Sequence, residues 1–479
     1  MQYSSLMFIF YFFPITVGVY YLLRFSQRLQ NVWLLIASLL FYAWSGILPV
    51  IFLLADIALN YGMGIVIERL QKKEASTKPA LAVACVINLI LLFIFNYLSP
   101  LAKGVGSLFN LNTTAVSSIL APLGIALITL HSISYLVDIY RKDVEMDKDP
   151  VNFALYIIFF PILIGGPILQ YADVVHQIAR RKATWEDFSQ GVCRFVIGLG
   201  KKVLIADAMA LIADHIFNLS AMSGSLTNVP ASLALVGLIA FALQIYHGLS
   251  GYSDMALGLG RIFGFHYREN YNYPYAAVSV TDFWSRCYIS LLSWFNNYVL
   301  VPLNGRNSNH DHMVRNTFVM WLLIGLLLGC EWTFLLWGIW NCIFLIFERV
   351  IEFENMNISS IPRRIYVLVF MLLGWVFYRT GDLYQLSVFM ENLFGRNDNG
   401  IFSDMALMLI REYWVVFLAG IVFATPIAPK LGRLLINKQG VWTKAFSVIY
   451  PLLMAVLLIL VVIFLNRSGY DPFLKYSLL

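Results

Sequence analysis

The stretch that decides the fold runs from Leu243 to Leu303 and reads LQIYHGLSGYSDMALGLGRIFGFHYRENYNYPYAAVSVTDFWSRCYISLLSWFNNYVLVPL. Apolar and aromatic residues dominate it, yet Asp254, Arg261, Glu269, Asn270, Asp282 and Arg286 are threaded among them. In a chain this apolar, such groups sit near or inside a bilayer, where each needs a partner or water. Ionisable residues at that depth are a functional-site hypothesis by default. The plainer reading is interfacial loops with ordinary caps.

The rest of the chain supports a bilayer setting. Of its 479 residues, 60% are hydrophobic and only 13% charged, against roughly 25% charged in soluble domains. Mean hydropathy is +0.74. A bilayer core takes about 20 apolar residues per helix, and the sequence holds roughly ten or more such runs. No long polar block divides the chain, so the expectation is an all-α polytopic membrane protein with a single domain over residues 1–479. The net charge of +6 is spread through short loops, which is a topology signal and excludes a nucleic-acid footprint. Cys85, Cys193, Cys287, Cys330 and Cys342 show no metal spacing and read as free thiols in apolar runs.

Taken in order, Met7 to Leu23 is the first expected crossing, with Pro14 placed to kink it. The N-terminus lacks the basic flank of a secretory signal and is expected to stay as that helix. Arg24 and Arg28 follow it, and Arg69, Lys72, Lys73 and Lys78 follow two further crossings. Both basic loops belong on the cytoplasmic side, which puts the N-terminus outside. Asp56 and Asn60 are four apart and share one helix face, where they are expected to pair.

The segment Phe159 to Val175 carries two prolines and Gly165-Gly166, so a broken or re-entrant segment is expected there. Trp185 to Asp207 reads as an amphipathic helix at the cytoplasmic face, with Arg194, Lys201 and Lys202 snorkelling. Val229 to Leu249 crosses again, and Gly248 and Gly251 argue against that helix continuing to Asp254. Later crossings are expected at Phe318 to Leu328, Thr333 to Ile346, Ile365 to Phe377, Tyr413 to Ala424 and Pro451 to Leu465. Lys430, Arg433, Lys438 and Lys444 fall between the last two, again expected on the cytoplasmic side.

At SGYSDMALGLGRIFGF (Ser250 to Phe265) and RENYNYPY (Arg268 to Tyr275) the chain resembles the membrane-bound O-acyltransferase (MBOAT) family. It is more similar to the alginate O-acetyltransferase-like branch than to the D-alanyl-transfer branch. LIASLLFYAW, APLGIALITLHSISYLVDIYR, FFPILIGGPILQY, RFVIGLGKKVLIAD, WTFLLWG and GWVFYR resemble further family signatures, in the family's order. The resemblance implies a ring of about 10–12 transmembrane helices, with re-entrant or broken segments, around a central funnel. It also implies a cytoplasmic acyl donor such as acyl-CoA or an acyl carrier. The other partner implied is an extracytoplasmic acyltransferase or polymer-export protein. A bacterial cytoplasmic (inner) membrane comes from the branch alone.

The sequence departs from the family where its chemistry rests. In the motif resembling RRWHISLSTWFRDY the histidine position is Tyr288, in that resembling GLWHGASWTF it is Leu328, and in that resembling LWGLLHG it is Asn341. An acceptor hydroxyl must lose its proton as it attacks an acyl carbonyl, and histidine takes it near neutral pH. Leucine accepts nothing, and tyrosine, with a pKa of about 10, is a poor base when neutral. Losing a general base costs about 10²–10⁴ in rate. Candidate substitutes are His247, seven residues before Asp254, together with His131 and Glu331. The plainer readings are buried structural histidines and, for Glu331, a turn between helices. His310 and His312 in GRNSNHDHMVR read as solvated surface, so no metal site is expected.

Three functions follow. The favoured one is a degenerate family member serving surface-polymer O-acylation or export without catalysis, its scaffold held by Asp254, Trp284, Arg286, Ser290, Trp294 and Trp332. The second is an active transferase with a relocated base. The third is a conduit for a lipid or acyl substrate.

Overall fold

The computed structural model describes residues 1–109, 122–221, 229–304, 312–396, 399–430, 432 and 441–467, the side chains of 103–109, 304, 441–448 and 467 excepted. His310, Arg433 and Lys438 lie outside the described residues, as does the side chain of Lys444; His312 is described and is exposed. The described residues are helical without a strand, and Tyr271 and Cys287 form an isolated antiparallel bridge. Seven of the helices are long and apolar enough to cross a membrane: Ile47–Lys72, Lys78–Ala102, Ala231–Ile262, Trp332–Val350, Ser360–Arg379, Asp404–Phe423 and Ile449–Asn466. Shorter apolar helices cover Phe8–Leu22, Pro150–Leu163, Ile289–Leu303 and Met313–Leu328. This is an all-α polytopic membrane protein.

One helix is surrounded by the others. The apolar window of Ala231–Ile262 is 83% buried, against 6% for Ile449–Asn466, so the first is the core and the second faces the surroundings. At about 1.5 Å per residue, its 32 residues extend roughly 48 Å. The expected break at Gly248 and Gly251 does not occur; the helix runs through both. The glycines serve packing instead. A Cβ on Gly198 would meet the Gly251 carbonyl oxygen at 2.5 Å, and one on Gly191 would meet that of Gly258 at 2.6 Å. The two glycine pairs let the helix Trp185–Gly200 lie backbone to backbone on the central helix, a small-residue contact suited to a medium where apolar burial alone drives little association.

That contact also corrects the reading of Trp185 to Asp207. The helix packs against the core, and its cations do not snorkel. Arg194 and Lys201 both pair with Asp254, at 2.9 and 2.7 Å, and Lys202 pairs with Asp207 at 3.0 Å. The helix opens on a capping box between Thr184 and Asp187. Burial would push the Asp187 carboxyl up, but hydrogen bonds from Thr184, His266 and Arg261 outweigh it and hold it at about 2.

Arg181 ties the far end of the central helix to its neighbours. Its guanidinium donates to the Phe263 carbonyl at 2.9 Å, to Asn31 Oδ1 at 2.7 Å and to the Ile178 carbonyl at 3.3 Å, and lies 4.2 Å from the Phe265 ring centroid. Cations are favoured where helix C-termini leave carbonyls unpaired. Tyr20 and Tyr21 donate to the Phe263 and Ile262 carbonyls at the same spot.

The broken segment is present. Helix Pro150–Ile158 ends at Phe159, a single turn covers Phe160–Leu163, and the backbone is irregular, with Gly165 at φ +68°, until Tyr171–Ala179. Buried backbone without helical partners must be satisfied by side chains. The Tyr3 hydroxyl donates to the Phe160 carbonyl and accepts from Ile164 N–H; Ser290 Oγ accepts from Ile168 N–H. His131 Nε2 accepts from Leu169 N–H, Tyr156 donates to the Leu169 carbonyl, and Asp138 accepts from Ala172 N–H.

In the third helix, Asn60 Nδ2 donates to Asp56 Oδ1 at 3.0 Å, as expected of the pair. Ser132 Oγ donates to the other Asp56 oxygen, and Asn60 exchanges amide hydrogen bonds with Asn88. All five cysteines are free thiols, Cys287 and Cys342 buried and the others half-buried.

Candidate functional site

Tyr288 occupies the turn between the short helices Val280–Arg286 and Ile289–Phe295, at φ +52°. A bulky residue in the left-handed region is held only when its surroundings over-determine it. Here they do. Asn272 N–H donates to the Arg286 carbonyl, Ile289 N–H to the Asn270 carbonyl, and the buried Asn270 side chain accepts from both the amide and the hydroxyl of Ser290. The Tyr288 ring stacks on Tyr271, with centroids 5.9 Å apart.

Around Tyr288 the space is filled by aromatic rings. Trp284, Trp321 and Trp337 meet one another at 4.6 to 5.6 Å between centroids. Trp284 Nε1 donates to Asn341 Oδ1 at 2.9 Å, and Asn341 Nδ2 donates to the Trp337 carbonyl at 2.7 Å. Asn341 thus sits at a position where both of its polar atoms are used in holding the tryptophans. The cavity left beside Tyr288 is about 20 Å³, room for about one water. Its walls include Cys287, Tyr271 and Tyr378 and, among the described lining residues, no imidazole or carboxylate.

Leu328 faces a second, larger cavity of about 420 Å³, within the roughly 300–1,000 Å³ of ligand sites. Tyr378 borders both cavities. Glu331, Arg379, Gln385 and Asn218 supply polar atoms to the larger one, whose wall also includes the rings of Phe334 and Phe389. The Arg379 guanidinium is paired with Asp214 at 2.5 Å and lies over the Phe217 ring. Glu331 opens the helix Trp332–Val350 with much of its surface exposed; partial withdrawal from water in the cavity wall, and then the charge of Asp382, push its carboxyl up.

The histidines lie elsewhere. His131 is fully buried, and its Nε2 lone pair is taken by Leu169 N–H at 3.0 Å. His247 is also fully buried, with Nε2 2.8 Å from the Gly420 carbonyl, which makes that nitrogen the protonated one. Neither lines either cavity. His247 and Asp254 share the central helix, but the Asp254 carboxylate is occupied by Arg194 and Lys201, and Arg194 also reaches Glu269. Of the other scaffold candidates, Trp294 Nε1 donates to the Leu130 carbonyl and Arg286 pairs with Asp282 at 2.6 Å; Trp332 is 70% exposed. Tyr378, Arg379 and Gln385 were not legible as site residues, although GWVFYR was a recognisable motif, because their meeting with Leu328 is tertiary.

The profile of the membrane-bound O-acyltransferase family matches residues 106–390, more than half of the chain. The chain belongs to that family. It is 33% identical over the full length of both chains to the probable alginate O-acetylase AlgI of Pseudomonas putida. It is 37% identical to the probable alginate O-acetylase AlgI of Azotobacter vinelandii, over 80% of this chain and 76% of that one. The peptidoglycan O-acetyltransferase of Helicobacter pylori is 28% identical over 82% of this chain and 80% of its own.

Proposed function

We propose that this chain is a single-domain membrane subunit of a surface-polymer O-acylation or export system that keeps the family fold without its acyl-transfer chemistry. The observation that carries the reading is the lining at the replaced positions: a cavity the size of about one water beside Tyr288, walled by aromatic rings, and Leu328 facing the larger cavity. A base missing at that point costs about 10²–10⁴ in rate, or roughly 3–5 kcal/mol of barrier. The relatives named for O-acetylation of alginate and of peptidoglycan support a surface polymer as the setting. The chain would sit in a bacterial inner membrane with its N-terminus outside and its basic loops inside, beside an extracytoplasmic transferase or export partner.

A second reading is favoured by one observation. Glu331 lines the cavity that Leu328 borders, and a carboxyl pushed up in pKa suits a general base. An active O-acyltransferase would then draw an acyl group from an acyl-CoA or acyl carrier donor. Purified full-length protein in nanodiscs, given acetyl-CoA and assayed for free thiol, separates the two. The expected result is release at the rate of empty nanodiscs. Turnover that Glu331→Gln abolishes would overturn the non-catalytic reading and establish the second.

A further inference from the structure

We infer that the 420 Å³ cavity beside Leu328 binds a sugar segment that carries no carboxylate, and binds one bearing ammonium groups most tightly. This rests on reading the cavity as the acceptor side of a family member, and it concerns which acceptor chemistry fits.

The position of the cavity comes first. Asn218 and Ala221, at the end of the helix Asp207–Ala221, are part of its wall, as is Gln385 of the helix Leu383–Leu393. Asn392 of the latter helix donates to Ser220 of the former at 2.9 Å. The segment after Leu383–Leu393 returns to the start of the central helix, where Ala231 and Ser232 N–H donate to the Gly400 and Ile401 carbonyls. The cavity therefore belongs to the end of the central helix opposite Arg181. By the distribution of basic loops, that end is extracytoplasmic.

The lining is that of a site for a hydroxyl-rich ligand. Amide and hydroxyl side chains (Asn218, Gln385, Ser220, Thr380) stand in the wall beside the Phe217 and Phe389 rings, which stack on each other at 4.1 Å and form a rigid apolar flank. Its charge is what selects. Arg379 is the cation among the described lining residues, and Asp214 already neutralises it. Glu331 lies in the wall without a cation paired to it in the described structure. The charge of Asp382, which caps the helix beside Gln385, reaches Glu331. Counting Glu331, Asp382 and Asp214 against Arg379, the described residues in and beside the wall carry a net charge of 1 − 3 = −2. A polyuronate segment entering there would place like charges together, while an ammonium group would be drawn in. The polymer named for the alginate relatives is thereby a poor fit to this chain.

Titration calorimetry on the full chain in nanodiscs, without acyl donor, tests this with three probes: tetramers of glucosamine, of glucose and of mannuronate. The glucosamine tetramer should bind tightest at moderate salt, the glucose tetramer more weakly, and the mannuronate tetramer at least about tenfold more weakly than the first. Glu331→Gln should weaken the glucosamine tetramer about fivefold more than it weakens the glucose tetramer, as expected for removing one nearby unit charge. Glu331 is exposed, so an unchanged melting temperature serves as the folding control. Mannuronate binding as tightly as glucosamine, no binding by any tetramer, or indifference to Glu331→Gln would each overturn the inference. With no donor present, failure of binding leaves the non-catalytic reading standing, and donor turnover leaves the charge preference standing.

Discussion

His131 Nε2 accepts the amide hydrogen of Leu169 at 3.0 Å, across 38 residues of sequence. A histidine that first reads as a replacement base is thus engaged in holding the irregular backbone between Leu163 and Tyr171. The bond uses the lone pair that a base would need.

Replacing His131 with leucine leaves a buried N–H without an acceptor, at a cost of about 1–3 kcal/mol. His131→Gln keeps an acceptor within reach and should recover part of that loss. Thermal unfolding of the three proteins in one detergent checks the order: wild type above His131→Gln above His131→Leu. Equal melting temperatures for all three would show that the segment does not depend on this bond.

Gly198 and Gly62 offer a matched pair of substitutions. A Cβ at Gly198 meets the Gly251 carbonyl oxygen at 2.5 Å, whereas one at Gly62 meets nothing within 4 Å. Gly198→Ala must push two backbones apart and should destabilise by about 1–3 kcal/mol. Gly62→Ala should be neutral or stabilise by a few tenths to about 1 kcal/mol, through the unfolded chain. Melting curves that move alike in both variants would refute the close-packed contact.

Asp187 predicts an acid limb of stability. Its carboxyl is held at about 2, below the value near 4 of an unfolded aspartate. A depressed carboxyl contributes stability in full above about pH 4, and that contribution is lost as pH falls through about 2. Asp187→Asn should therefore melt lower than wild type at pH 7 and converge on it between pH 4 and pH 2. A difference that stays constant over that range would remove Asp187 from the acid response.

The candidate site was partly legible before the fold. Tyr288, Leu328 and Asn341 could be singled out from the sequence, because each lies inside a motif resembling one of the family's. What surrounds them was not legible. That Leu328 shares a cavity with Arg379 and Gln385, and that Tyr378 divides it from the cavity at Tyr288, depends on helices far apart in the chain. The roles of Ser290 and His131 were hidden for the same reason: local sequence shows a donor or an acceptor, not the backbone group that will meet it.

Composition and apolar run length by themselves determined that the chain is helical and lives in a bilayer, since hydrocarbon leaves a polar backbone few other ways to satisfy itself. The prolines and paired glycines likewise determined that Phe159 to Val175 breaks. Only the tertiary structure decided how Gly248 and Gly251 behave. Within a bilayer no water competes for their backbone hydrogen bonds, and Gly251 is bound into a contact with Gly198 that only a residue without a side chain permits. It also decided where the charges go. Arg194 and Lys201 look like residues reaching for lipid headgroups, until the neighbouring helix brings Asp254 within 3 Å of both.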